Sequence, residues 1–174
     1  MQTSLLRKSC ALTGHCPARF SFGEDNDKCS MLKAILKEQI ETLVNEGITD
    51  FYTGMALGVD QWAASIVLGL KKKNPFIRLV AVLAYEGQAN DWNEEQRNIY
   101  FNILPLCDDV ITLQTQYTPL CMHECNKYLV YHSDRLLAVY DGGQKGGTAY
   151  TVKYAKQKRL QITIINPNTM TVKL

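Results

Sequence analysis

Three short segments of the chain set glycine, hydroxyl, imidazole and carboxylate groups where they could grip a phosphate. The first, Thr13-Gly14-His15-Cys16-Pro17, joins a glycine that lets a ligand approach the backbone to two hydrogen-bonding side chains, Thr13 and His15. The second, Gly54-Met55-Ala56-Leu57-Gly58-Val59-Asp60, places two glycines four residues apart just ahead of an apolar helical run. Such a turn frees backbone N–H groups to face an anion, and the helix N-terminus adds partial positive charge. The third, Asp141-Gly142-Gly143-Gln144-Lys145-Gly146-Gly147-Thr148, holds four glycines within six residues. Glycine costs conformational entropy, so this density points to backbone that must lie against something. Thr148 can cap the helix that follows and donate its hydroxyl to a phosphate. None of the three matches the dinucleotide fingerprint or a Walker A loop.

Each group also has an ordinary role. Asp60 can be a first-turn helix acid, His15 a loop histidine, and Asp134 and Asp141 strand-end or turn residues.

The surrounding pattern explains how such turns could meet. Short apolar runs at residues 8–13, 48–53, 76–85, 109–113, 135–140 and 161–165 read as strands. Helical spacing fills the gaps. Leu32, Ile35, Leu36, Ile40, Leu43 and Val44 mark one amphipathic face, ended by Gly47. Residues 59–73 form a broadly apolar helix, 91–106 a helix capped by Asp91, 121–132 a shorter one and 149–157 a last one. Residues 169–174 read either as an edge strand or as tail. This alternation predicts an α/β fold, a Rossmann-like, doubly wound and mainly parallel sheet of about six strands with helices on both faces. Ligands in such sheets sit beyond the carboxyl ends of the strands, where all three turns are expected.

Composition narrows the partners. The 174 residues suit a single domain spanning 1–174. With 19 Lys plus Arg against 17 Asp plus Glu, the balance counts against nucleic acid. The clusters Lys71-Lys72-Lys73 and Lys156-Gln157-Lys158-Arg159 fall at helix ends, where cations complement the dipole. No apolar run reaches the roughly 20 residues that span a bilayer, and no signal-peptide pattern is present, so a soluble, cytoplasmic chain with reduced cysteines is expected. Cys121 and Cys125 share a helix face but lack two further ligands, so no metal is expected. The apolar helix at 59–70 could be covered by the sheet alone or partly by a second subunit of a homodimer. No particular cofactor is singled out.

In this order the turns resemble the YpsA-like family, a branch of the SMF/DprA–LOG (SLOG) superfamily of Rossmann-like nucleotide-binding proteins. The matching residues are Thr13-Gly14-His15 with Pro17 and Phe22-Gly23, then the whole of Gly54 to Asp60 with Trp62-Ala63-Ala64. They continue through Trp92, Asn126, Ser133-Asp134 and Gly146-Gly147-Thr148 with Tyr150-Thr151 and Tyr154-Ala155. The resemblance spans nearly the whole chain and implies a nucleotide-derived ligand, ADP-ribose, NAD-like or a nucleoside monophosphate, held by a binding or sensing module. The expected contacts are Thr13, Gly14, His15, Gly54, Met55, Gly58, Asp60, Asn126, Gly146, Gly147 and Thr148.

Two positions depart from the family pattern: Cys16 and Cys125 stand where arginines are usual. Backbone amides would then carry the phosphate, with Lys145 or Lys127 as helping cations. The alternative is N-glycosidic hydrolysis of a nucleoside monophosphate, as in the LOG relatives. Their glutamate is replaced here by Thr151, which leaves Asp60 and then Asp134 as the candidate catalytic carboxylates.

Overall fold

The computed structural model describes residues 7–174. Strands β1 (Lys8–Gly14), β2 (Ile48–Thr53), β3 (Arg78–Leu83), β4 (Asp109–Thr112), β5 (Arg135–Val139), β6 (Gln161–Asn166) and β7 (Thr171–Lys173) form one sheet in the order β4-β3-β2-β1-β5-β6-β7. Only the β6–β7 pair is antiparallel. Helices α1 (Asp27–Asn45), α2 (Val59–Lys71), α3 (Glu94–Ile103), α4 (Cys121–Tyr131) and α5 (Gly147–Gln157) connect the parallel strands. The expected doubly wound α/β sheet is therefore present, with residues 171–173 as a short antiparallel edge strand rather than a tail.

Two cores follow from the two-residue period of the strands. Cys10, Leu12, Leu79, Ala81, Leu83, Leu137 and Val139 face one way, and meet Leu32, Leu36, Ile40, Val67 and Tyr100 from α1, α2 and α3. The intervening Ala11, Val80, Val82, Leu136 and Ala138 face the other way, against Cys121, Cys125, Leu129, Val152 and Ala155 of α4 and α5. Each fully buried Leu, Ile or Phe contributes about 1.5–3 kcal/mol of transfer free energy, so both faces stabilise the sheet. The small residues Ala11, Ala81 and Ala138 leave room for helices to lie close on its central strands.

Two helix boundaries differ from the sequence reading. α3 starts not at Asp91 but after Asn93, whose side chain accepts a hydrogen bond from the Gln96 amide at 2.9 Å. The Gln96 side chain accepts in return from the Asn93 amide at 3.1 Å. This reciprocal box satisfies two otherwise orphaned donors, which a first-turn acid alone does not. The same helix stops at Ile103, and Leu104–Leu106 tightens into a 3-10 turn at Pro105, which has no N–H to give. Asn93→Ala is expected to cost about 1 kcal/mol, read as a lower urea midpoint with an unchanged slope.

Candidate functional site

The strand order reverses between β1 and β5: β2, β3 and β4 lie on one side of β1, and β5, β6 and β7 on the other. At such a switch point adjacent connections leave in opposite directions and open a crevice beyond the strand ends. The turns after β1, β2 and β5 all reach that crevice. It is a cleft of about 300 Å³, lined by Thr13, Gly14 and His15 from the first turn, Gly54, Ala56 and Asp60 from the second, and Gly146, Gly147 and Thr148 from the third, with Asn126 and Cys125 of α4 as its far wall.

The third turn ends on a helix with open donors. Gly146 takes φ of +103°, a conformation that side chains rarely adopt, and serves as N-cap of α5 with no side-chain hydrogen bond. Thr148, expected as the cap, instead lies buried inside the first turn of α5. α2 likewise begins at Gly58, with φ of +88° and no side-chain cap. A Cβ there would fall 2.6 Å from Pro17 Cδ, so Gly58 also lets the first turn lie flat on the second. By contrast α1 and α3 are capped by Asn26 and Asn93. Of the two glycine-capped starts, only that of α5 lines the cleft, where its first-turn amides and dipole can face an anion.

Asp60 lies beneath this arrangement. It is 5 % exposed, and its Oδ2 accepts a hydrogen bond from the Ala56 amide at 3.2 Å, with the Gly54 and Gly14 amides also directed at the carboxylate. Burial pushes this carboxyl up to about 7, and the three amides only partly offset that rise. A group poised there can hold a proton or accept one near neutral pH. Cys125 lies close by, with its thiol donating to the Val82 carbonyl at 3.3 Å. Burial raises that thiol to about 12, so it packs as an apolar group rather than acting as a nucleophile.

His15 is not a free loop residue. Its ring is buried beside Phe20 and Tyr140, and Nε2 sits 3.0 Å from Asp141 Oδ1. Burial lowers its pKa against the opposing pull of Asp141, and Nε2 accepts a hydrogen bond from the Asp141 backbone amide at 3.3 Å. Asp141 in turn accepts from the Gly143 amide at 2.8 Å and from Arg19 Nε at 3.2 Å. Burial alone would raise the Asp141 carboxyl, but these donors outweigh it and hold it below its ordinary value. Asp141 therefore ties the first turn to the third.

Asp134 is a correction. It precedes β5 and accepts hydrogen bonds from the Ser9 amide and hydroxyl at 2.8 and 3.1 Å, at the amino ends of β1 and β5. The cleft is at the carboxyl ends, so Asp134 staples two strands and takes no part in it. Met55 and Gly58 are also outside the lining, the first buried with φ of +57° and the second beneath Pro17. Thr151 donates its hydroxyl to the Gly147 carbonyl at 2.8 Å and is fully buried, so it shapes the start of α5. Asn126 Nδ2 reaches the same carbonyl at 3.5 Å.

Of the two lysines considered as helping cations, Lys127 pairs with Glu124 at 2.9 Å, and neither it nor Lys145 lines the cleft. Arg19, which the sequence reading passed over, does. Cys16 is exposed at the rim.

A larger hollow of about 640 Å³ lies elsewhere, between α1, α2 and α3 around Lys33, Trp62, Ile66 and Ile99. Its walls are mostly helix flanks, and it contains no strand-end turn beyond Leu57 and Gly58. Among the described residues no helix is long and apolar enough to cross a membrane.

The chain is similar to known proteins over most of its length. A family model described as the YspA SLOG family (YpsA) matches residues 10–170. The chain is 32% identical over 170 residues to a UPF0398 protein of Halalkalibacterium halodurans, covering 94% of this chain and 90% of that one. It is 33% identical over 148 residues to the SPbeta prophage-derived protein YoqJ of Bacillus subtilis, covering 75% and 85% of the two chains. A UPF0398 protein of Brevibacillus brevis is 32% identical over 139 residues, covering 79% and 74%.

Proposed function

Since the chain belongs to the YpsA SLOG family, we propose that its cleft binds a phosphate-bearing nucleotide derivative and that the protein acts as a single-domain cytoplasmic binding or sensing module. One observation carries this reading: the uncapped, glycine-started helix α5 opens at the switch point of the sheet, where backbone amides and dipole receive an anion without any catalytic group. Thr13 and Thr148 add hydroxyls at the same wall. The cleft is at the small end of the range for ligand sites, which favours a mononucleotide, or one phosphate-ribose half of ADP-ribose, within the cleft itself.

A second reading, N-glycosidic hydrolysis, is favoured by Asp60 alone. A buried carboxyl raised to about 7 in the cleft is suited to activating water or stabilising a ribosyl cation.

A thermal-shift screen against AMP, other nucleoside monophosphates, ADP-ribose, NAD and cyclic dinucleotides separates the two, with mass spectrometry on each hit. A ligand at one hundred times its Kd adds about 2.7 kcal/mol of stability. A hit recovered intact supports the binding module, and recovery as base plus sugar phosphate supports the hydrolase. No shift with any of them would overturn both.

A further inference from the structure

Among the described residues Arg19 is the one permanently cationic side chain lining the cleft. It comes from the 3-10 turn Pro17–Arg19, which Pro17 starts and which lies against Gly58. Its guanidinium is aimed rather than free: Nε donates to Asp141 Oδ2 at 3.2 Å, and Nη1 donates to the Lys145 carbonyl at 3.2 Å. Nη2 lies along Gly143, where a Cβ would collide with it, and it makes no hydrogen bond among the described residues. Nη1 also runs past Gly146, the N-cap of α5. The guanidinium therefore stands beside the open amides of α5 with donors left over.

Asp141 balances the Arg19 charge, so what the guanidinium offers a ligand is directional, the N–H groups that Asp141 and the Lys145 carbonyl leave unused. An arginine fixed on two sides, with Nη2 unpaired at Gly143 and Nη1 beside Gly146, suits the planar two-point recognition of a phosphate.

We infer that Arg19 is the cationic contact for the ligand's phosphate group, positioned by Asp141 and the Lys145 carbonyl. The nature of the rest of the ligand rests on the nucleotide reading above, whereas the anion contact does not. The Arg19 backbone is held by its amide donating to the Cys16 carbonyl at 3.0 Å.

Isothermal titration of inorganic pyrophosphate, AMP and adenosine into the wild-type protein, Arg19→Gln and Arg19→Lys tests this. Arg19→Gln is expected to weaken pyrophosphate and AMP by about tenfold or more, as loss of a charge-assisted contact does. Adenosine, which has no phosphate, should bind both proteins alike. Arg19→Lys, which keeps the charge but not the fork, should fall between them, and it carries the test if the glutamine variant does not fold. Pyrophosphate binding equally to wild type and Arg19→Gln would overturn the assignment. So would failure of the wild type to bind pyrophosphate, or adenosine weakening as much as AMP. Arg19-dependent binding of pyrophosphate without binding of AMP would uphold the contact and overturn the nucleotide reading instead.

Discussion

Gly147→Val is expected to weaken AMP or ADP-ribose binding by at least about 100-fold, the scale for losing the main anion contact, with unchanged far-ultraviolet circular dichroism. The two halves of this expectation come from different features of the site. Gly147 is the first residue of α5 and lines the cleft. A Cβ there meets only Asn126 Nδ2, at 3.5 Å, which is ordinary contact with the end of a side chain that can turn aside. Valine has no poorer helix propensity than the glycine it replaces, so the fold survives. Its two methyl groups, however, would occupy the space in front of the first-turn amides, where an anion must come within hydrogen-bond distance. Calorimetry on the variant decides the matter. Unchanged affinity would remove the α5 start from the site.

Asp60→Asn is expected to change how stability depends on pH. The Asp60 carboxyl is raised by burial from 3.8 to about 7 in the folded chain. Between those values the folded state keeps a proton that the unfolded state has released. The stability tied to this group is therefore fully present below about pH 4 and is lost as pH rises through 7. The loss amounts to a few kcal/mol once the group must ionise in its buried place. Asparagine cannot ionise, so the variant should lose less stability than the wild type between pH 5 and pH 8. Urea unfolding at those two values measures the difference, and parallel behaviour of both proteins would show that Asp60 is already ionised at pH 5. If the protein cleaves a nucleotide, the same variant should lose turnover and keep binding. Loss of both would make Asp60 a positioning group for the Gly54–Gly58 turn.

Much of this arrangement was legible along the chain. The apolar runs located every parallel strand to within about two residues, because strands covered on both faces cannot hide among polar residues. The glycines at 54, 58, 146 and 147 marked the turns where backbone must approach closely, and the YpsA resemblance tied those turns into one family. Boundaries set by side-chain reciprocity were less legible. The sequence reading took Asp91 as the cap of α3, and the Gln96 side chain folding back onto Asn93 moves the start two residues on.

The sequence by itself determined the fold class and the three turns, since hydrophobic period and glycine placement are local properties that survive without knowing which strands are neighbours. Tertiary structure decided which charges share the cleft. In one dimension Asp134 reads as a site carboxylate and Arg19 goes unmarked, yet strand direction sends Asp134 to the amino end of β5, while the turn after β1 swings Arg19 across onto Asp141, 122 residues away. The same is true of Asp60. Its carboxylate is an ordinary first-turn acid until the sheet brings the Gly14, Gly54 and Ala56 amides around it and excludes water, and that exclusion moves its proton affinity toward neutral pH.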